Sequence, residues 1–300
     1  MRWETDGRDW PHRAASRFVS SGGLTWHVQE MGEGPLTLLL HGTGAATHSW
    51  RGLMPLLARD NRVLAVDLPG HGFTRGRPAG GLTLPGMAQA VTALLARMDA
   101  VPAQIIGHSA GAAIALRMVV GGLAPERVIG LGPALMPFPG VFAPLFQTLA
   151  RALVLNPLVP RIFAATARGA GDTERFLVKS TGSRIDAEGL ACYAKLIGNS
   201  HHCRGVLEMM AGWDLPGLQR DLPRICVPVL LIHGTHDSAV PTSAVEQAHK
   251  LLPQSILTLL AGLGHLAHEE RPDIVAGAIR DFTPVSAQEG DGHGTELRVD

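Results

Sequence analysis

The chain has 300 residues, of which 46% are hydrophobic and 17% charged, so it can build a large buried core. The 26 basic and 26 acidic residues cancel and form no basic block, which argues against nucleic-acid binding through phosphate contacts. The N-terminus lacks an apolar secretion signal, no run is apolar enough to span a bilayer, and the three cysteines form no CxxC pair. We therefore expect a cytoplasmic protein without disulfides or a transmembrane segment.

Short apolar runs alternate with longer helical stretches, a pattern typical of a mostly parallel sheet covered by helices on both faces. Near the N-terminus, residues 18–20 and 25–30 flank Ser21-Gly22-Gly23 and predict a hairpin. Six later runs predict buried strands, at 36–40, 63–66, 101–106, 128–131, 229–232 and 256–260. The predicted fold class is α/β, with a mostly parallel central sheet.

The even alternation stops in the middle of the chain and again at its end. Residues 137–213 have helix-like apolar spacing, several prolines and no clear strand, which predicts a helical lid over the strand ends. Residues 285–300 are polar and contain glycine, which predicts a disordered tail. The predicted organisation is a leader at 1–15, a core at 16–136 and 214–284, the lid and the tail.

One strand is followed directly by Gly107-His108-Ser109-Ala110-Gly111, which matches the G-x-S-x-G turn between a strand and a helix. A serine on this turn has a strained backbone and presents its hydroxyl at the head of the helix, predicted here over 110–120. The flanking glycines are needed because side chains would collide with the neighbouring strand and helix. We therefore predict Ser109 as a nucleophile.

A serine hydroxyl needs a base to remove its proton, and the base needs an acid to orient it. Asp237 follows the strand predicted at 229–232, and His265 follows the strand predicted at 256–260. Both loops lie at strand C-termini, on the same edge of the sheet as Ser109. The order serine, acid, histidine is the one expected for this type of site. We predict a triad of Ser109, His265 and Asp237.

The loop His41-Gly42-Thr43-Gly44 after the strand at 36–40 is typical of a turn that directs a backbone amide toward the nucleophile. We predict the amides of Thr43 and Ala110 as an oxyanion hole. The spacing of His265, His268 and Glu269 matches no known zinc pattern. The adjacent His201 and His202 would point to different faces of a helix, which favours the surface of the lid over a metal site. We therefore predict no metal and no cofactor.

With these motifs in place, the chain resembles the α/β-hydrolase superfamily over about residues 16–283. Trp50, the run Asp67-Leu68-Pro69-Gly70-His71-Gly72 and Glu270-Arg271-Pro272 fit accessory positions of that superfamily. A serine at the nucleophile position argues against haloalkane dehalogenases and epoxide hydrolases, which use aspartate. The resemblance implies an α/β-hydrolase fold with a helical lid and a serine nucleophile.

A narrower resemblance, to the magnesium chelatase accessory proteins of bacteriochlorophyll biosynthesis, runs nearly from end to end. It is carried by residues 3–13, 41–50, 155–161, 181–184 and 262–272. It implies a role in photosynthetic bacteria around magnesium insertion into protoporphyrin IX, with chelatase subunits as candidate partners. Chelation is driven by ATP, and the sequence lacks the G-x-x-x-x-G-K-[ST] loop that binds nucleotide phosphates.

The leading hypothesis is a serine hydrolase that cleaves an ester or related acyl bond beside the tetrapyrrole pathway. The expected substrate is apolar or a tetrapyrrole, and four aromatic residues are predicted to bind it: Trp50, Phe138, Phe142 and Phe146. A non-catalytic porphyrin-binding or chelatase-assembly factor and a general carboxylesterase stay open as alternatives. So does peripheral contact of the apolar stretch 141–165 with a membrane.

Overall fold

A computed structural model describes residues 1–137, 161, 170–282 and 296–299 of the chain. The strands form one sheet in the order β1-β2-β4-β3-β5-β6-β7-β8-β9. In chain order they are β1 (Ser16–Ser21), β2 (Leu24–Met31), β3 (Leu36–Leu40), β4 (Arg62–Val66), β5 (Gln104–His108), β6 (Arg127–Leu131), β7 (Val229–Gly234), β8 (Ser255–Leu260) and β9 (Glu296–Val299). The hairpin β1–β2 is antiparallel and β2 runs antiparallel to β4, whereas all pairs from β4 to β9 are parallel. The predicted fold class is confirmed.

The predicted strands are all present, with one clear shift at a boundary. The strand expected from residue 101 begins at Gln104, and Val101 is 79% exposed. Pro102 has no amide hydrogen to donate to a neighbouring strand, so pairing starts beyond it. The first bond of this strand to β3 comes from the Ala103 amide, which donates to Leu36 O at 2.9 Å.

The helices cover the two faces of the sheet. In chain order they are α1 (Trp3–Asp6), α2 (Leu53–Leu57), α3 (Leu84–Arg97), α4 (Ala110–Val120), α5 (Ala170–Thr181), α6 (Ala187–Ile197), α7 (Ser200–Ala211), α8 (Leu215–Asp221), α9 (Thr242–Leu251), α10 (Ala267–Glu270) and α11 (Pro272–Asp281). Side chains alternate along a strand, so Leu38 and Leu40 pack with α3 and α4 while Leu39 packs with α2 and α11. Each face of the sheet therefore has its own apolar layer.

The described part of the predicted lid is helical, and its helix α6 packs against the N-terminal leader. Helices α5, α6 and α7 occupy residues 170–211. Trp10 of the leader is 2% exposed and packs with Tyr193 and Leu196 of α6. Its indole Nε1 donates to Thr47 Oγ1 at 3.0 Å. The leader thus packs between the core and helix α6.

The C-terminal segment differs from the predicted disordered tail at four residues. Residues 296–299 form β9 and pair in parallel with β8. Without β9, strand β8 would be at the edge of the sheet and would expose unpaired amides and carbonyls. The strand β9 pairs with these groups. The alternation Glu296-Leu297-Arg298-Val299 suits such a strand. Residues 283–295 and 300 lie outside the described residues. Within the described ranges, no helix is both long and apolar enough to cross a membrane.

Candidate active site

The loop after β5 holds Ser109 in a conformation that L-residues rarely adopt. Its backbone has φ 52° and ψ −115°, immediately before the first turn of α4. A Cβ built at Gly111 would overlap the carbonyl oxygen of Leu40, and one at Gly107 would overlap the backbone of Ala112. A non-glycine residue in the backbone conformation of Ser109 costs about 1–3 kcal/mol, and the packing around Ser109 must hold it there. The predicted strained turn is therefore present at Ser109.

Asp237 and His265 meet at the ends of β7 and β8. His265 Nδ1 donates to Asp237 Oδ2 at 2.7 Å, and the Asp237 side chain is fully buried. The other carboxylate oxygen, Oδ1, accepts the amides of Ala239 at 2.7 Å and Val240 at 2.8 Å. With its proton on Nδ1, a neutral His265 presents an unprotonated Nε2. The predicted acid and base are thus brought together and oriented.

The structure brings Ser109 to the same place as His265 without a direct bond. The Ser109 amide donates to Leu131 O at 2.9 Å. Gly132, which follows Leu131 in the chain, lies against His265, since a Cβ built there would be 3.0 Å from His265 Nδ1. Among the described residues, no hydrogen bond joins the Ser109 hydroxyl to His265. A catalytic hydrogen bond is often long or poorly aligned until a substrate is bound.

Two further histidines lie beneath His265 and are kept neutral. The rings of His108 and His265 are 4.7 Å apart, and His108 Nε2 donates to the backbone carbonyl of His265 at 3.1 Å. The ring of His268 lies 4.5 Å from that of His108. Burial lowers the pKa of His108 well below its usual value and lowers the pKa of His268 to about 3. If His265 became positively charged, it would face the carboxylate of Asp237, and the neutral His108 and His268 would not repel it.

The loop after β3 reaches the serine, as expected of an oxyanion hole. A Cβ built at Gly42 would lie 3.1 Å from Ser109 Cβ, so Thr43 follows directly on a contact with the nucleophile. Within the described ranges, no backbone carbonyl outside the regular helices and strands accepts a hydrogen bond from the amide of Thr43 or of Ala110. His41 holds this loop, since its Nε2 accepts the Leu68 amide at 2.9 Å and its Nδ1 donates to Gly42 O at 2.8 Å.

Comparison with known proteins places this site in a family. The sequence model of the alpha/beta hydrolase family matches residues 37–278. The chain belongs to the alpha/beta hydrolase family. It is 41% identical over 280 residues to the magnesium-chelatase 30 kDa subunit of Rhodobacter capsulatus, in an alignment that covers 91% of this chain and 96% of that protein. The narrower resemblance expected from the sequence is confirmed by this relative.

Solved structures support the fold but do not select a reaction. The alpha/beta hydrolase is similar to a ligand-free epoxide hydrolase, with a TM-score of 0.74, 21% identity and coverage of 89% of this chain and 97% of the other. It is also similar to an esterase from Exiguobacterium antarcticum, with a TM-score of 0.70, 20% identity and coverage of 88% and 97%. Esterases and epoxide hydrolases share this fold, so the fold alone does not determine the reaction.

A buried polar network next to the site could not be predicted from sequence. Glu269 follows the His265 loop and is buried at 7% exposure, where it pairs with Arg51 and accepts hydrogen bonds from Tyr193 at 2.8 Å and Ser49 at 3.0 Å. Burial raises the pKa of Glu269, although Arg51 opposes that shift. Arg51 also bonds Asp186 of the lid at 2.7 Å. These residues are far apart in sequence and carry no shared motif, so only the fold reveals the network.

One of the two adjacent histidines of the lid lies against the core. His202 is 3% exposed, so its predicted position on the surface of the lid is wrong. It faces the core, where its Nε2 donates to Gly44 O at 3.1 Å and its Nδ1 accepts the Gly72 amide at 3.2 Å. No group of three or more metal-binding side chains occurs within the described part of the chain.

One of the four predicted substrate contacts, Trp50, lies in the core. Trp50 is fully buried and packs in the layer of Leu39 and Leu53, so its assignment to a substrate pocket is wrong. Its large apolar ring stabilises the core under the site, with His268 at 4.9 Å between ring centres. Phe138, Phe142 and Phe146 lie outside the described residues.

Proposed function

We propose that this alpha/beta hydrolase cleaves an ester or related acyl bond through Ser109, His265 and Asp237. The observation that carries the proposal is the bond between His265 Nδ1 and Asp237 Oδ2, at the edge of the sheet where Ser109 sits in its strained turn. An aspartate with both oxygens engaged fixes one tautomer of the histidine, and that tautomer aims a proton acceptor away from the acid.

The proposed reaction has two steps. Ser109 Oγ attacks the acyl carbon while His265 Nε2 takes the hydroxyl proton. The oxyanion that forms accepts the amides of Thr43 and Ala110, and each such donor contributes about 3 kcal/mol of barrier lowering. Collapse expels the leaving alkoxide, which takes the proton from His265 and leaves an acyl group on Ser109. His265 then takes a proton from a water molecule, and the resulting hydroxide attacks the acyl carbon. The bond to Ser109 breaks, the acid is released, and His265 returns the proton to Ser109.

The biological setting is proposed from the relative in Rhodobacter capsulatus, whose name describes a magnesium-chelatase subunit. We propose that this chain works beside magnesium insertion in bacteriochlorophyll synthesis, on an apolar or tetrapyrrole ester, and that it associates with chelatase subunits. Because the chain lacks a nucleotide-binding loop, the proposed role is acyl-bond chemistry beside the ATP-driven insertion step.

A fluorophosphonate, which reacts with activated serines, tests the chemistry directly. The wild-type protein is expected to be labelled at Ser109, and Ser109→Ala is expected to remain unlabelled while folding normally by circular dichroism. A folded wild-type protein that stays unlabelled would refute the proposed nucleophile.

Complementation tests whether the chemistry is what the cell needs. A Rhodobacter capsulatus strain without its 30 kDa subunit is supplied with the wild-type chain or with Ser109→Ala, and pigment is measured by absorbance. We expect the wild type alone to restore pigment. Equal rescue by Ser109→Ala would favour a non-catalytic porphyrin-binding or assembly role instead, and fluorescence quenching of porphyrin would then measure that binding.

A further inference from the structure

Residues Thr181, Gly182 and Ser183 connect the lid to both loops of the proposed acid–base pair, and we call them the 181–183 tether. Helix α5 ends at Thr181, and Gly182 follows with φ +70°, the left-handed conformation that commonly ends a helix. The Thr181 carbonyl, which belongs to the last turn of α5, accepts the His265 amide at 2.8 Å and the Ser238 amide at 3.4 Å. One carbonyl of the lid therefore bridges the Asp237 loop and the His265 loop.

Side chains reinforce this bridge on the histidine side. Ser183 is 1% exposed, and its Oγ accepts the amide of Leu266 at 2.8 Å and donates to Glu270 Oε1 at 2.7 Å. The same Glu270 oxygen accepts the amide of Gly264 at 2.8 Å. The residues on each side of His265 are thus bonded to Ser183 or Glu270, while His265 itself is bonded to Thr181.

The tether packs closely against both loops, with no space for a side chain at its glycine contacts. A Cβ built at Gly182 would overlap the carbonyl oxygen of His236, and one built at Gly264 would overlap Ser183 Oγ. In addition, the C-terminal end of α5 points its partial negative charge at the His265 loop, and a helix C-terminus stabilises a nearby cation. His265 would become such a cation when it takes the serine proton.

We propose that Ser183 and Glu270 are positioning residues that hold His265 against Asp237. The 181–183 tether of the lid is then a structural part of the catalytic site. The proposal rests on the proposed function for its effect on rate, but the geometry it predicts exists without catalysis. Neither residue contacts the reacting atoms in this scheme. They act through the backbone of residues 264–266.

The rate measurement uses the fluorophosphonate and compares three variants. In Ser183→Ala, the Leu266 amide and Glu270 each lose a partner, and we expect the maximal labelling rate of Ser109 to fall ten- to hundredfold with the half-saturating concentration changed less than threefold. Glu270→Ala should do the same, whereas Glu270→Gln keeps an acceptor for Gly264 and should retain a rate within about threefold of wild type. If Ser183→Ala does not fold, the Glu270 pair carries the test.

Asp186→Ala is the matched control. Asp186 also joins lid to core, through Arg51, and caps α6 by accepting the Gly189 amide at 2.7 Å, but it does not contact the 181–183 tether. We expect this variant to melt at a lower temperature and to be labelled at the wild-type rate. An equal loss of rate in Asp186→Ala would mean that any loosening of the lid slows labelling, and would overturn the specific role of the tether.

A second readout separates this proposal from the proposed function. Protons in buried histidine–aspartate bonds resonate at low field in NMR spectra. Among the described residues two such pairs are bonded, His265–Asp237 at 2.7 Å and His27–Asp67 at 2.8 Å. Ser183→Ala should broaden or shift the His265 signal, assigned by its loss in His265→Gln, and leave the His27 signal unchanged. An unlabelled wild type with this spectral change would refute the hydrolase but support the tether. Unchanged spectra and rates in Ser183→Ala and Glu270→Ala would refute the tether.

Discussion

The Ser109 turn and the His265 loop hold neighbouring side chains by opposite means. Ser109 is positioned by five consecutive residues, because Gly107 and Gly111 allow strand and helix backbones to come into contact around it. His265 is positioned by Asp237, Thr181 and Ser183, which lie elsewhere in the chain. A local turn tolerates no added atoms, whereas a loop held by distant partners can lose one bond and persist with altered geometry. Substitutions in the first region should therefore act on the fold, and those in the second on the orientation of His265.

The largest expected effect comes from Asp237→Asn. Oδ1 already accepts two backbone amides, so the asparagine oxygen would take that place and turn its NH₂ toward His265 Nδ1. Two donors would then face each other, and His265 would switch to the tautomer that cannot accept the serine proton. We expect the fluorophosphonate labelling rate to fall on the order of 10⁴-fold with the fold intact.

The control for that substitution is Asp273→Asn, at an exposed aspartate that pairs with a surface arginine, Arg271. Its labelling rate should match that of the wild type. A loss of less than tenfold in Asp237→Asn would show that the bonded pair does not serve the serine, and the contrast between the two regions would lose its chemical meaning.

The second effect is on stability and tests the local region. In Gly111→Ala the new methyl group would overlap the Leu40 carbonyl, so we expect the free energy of unfolding in urea to fall by about 3 kcal/mol. Gly277→Ala is the matched control, because a Cβ there meets nothing within 4 Å in helix α11, and it should stabilise the protein by about 1 kcal/mol. A neutral Gly111→Ala would mean that the turn adapts, contrary to its proposed rigidity.

The same contrast explains what could be predicted from sequence. The strands, the Ser109 turn and the order of the three site residues follow from short motifs and from alternation along a strand, and these are local properties. The 181–183 tether and the bonds of Glu269 to Arg51 and Tyr193 pair residues that are far apart in sequence. Residues 181–184 carry part of the family resemblance, but nothing in that segment indicates that Ser183 bonds the His265 loop.

The error at Trp50 has a related cause. An aromatic residue close to a predicted site suits a substrate pocket and a core equally well on composition, and only the packing of the layer under β3 decides between them. His202 was misplaced for the same reason, since its partners Gly44 and Gly72 belong to the core.

A side chain of the lid, Tyr193, contacts the buried Glu269 beside the His265 loop. Tyr193→Phe would remove a hydrogen bond to Glu269, a buried carboxylate, and bonds to charged groups contribute more than neutral ones. We expect the free energy of unfolding to fall by about 2 kcal/mol. Thr47→Val, which removes the neutral acceptor of the Trp10 indole, is the matched comparison and should cost about 1 kcal/mol. Equal losses would mean that Arg51 and Ser49 satisfy Glu269 without Tyr193.

The smallest effect comes from Asp67, which supports the loop carrying Thr43 and so adds a third region to the comparison. Burial disfavours the charge of Asp67, but His27 and the amides of Phe73 at 2.8 Å and Thr47 at 2.7 Å outweigh it, and the pKa of Asp67 is lowered below its usual value of 3.8. The folded state therefore binds this proton more weakly than the unfolded chain does. The stabilisation is complete above the usual pKa and is lost as the pH falls below it.

Urea unfolding of the wild type and Asp67→Asn between pH 5 and pH 3 measures this contribution. Asparagine cannot titrate, so its free energy of unfolding should fall by about 1 kcal/mol less than that of the wild type across this range, whatever its stability at pH 7. Parallel curves would mean that Asp67 gains its proton equally in both states. The loop carrying Thr43 would then be held by the shape of its hydrogen bonds rather than by the charge of Asp67, which would align it with the Ser109 turn rather than with the His265 loop.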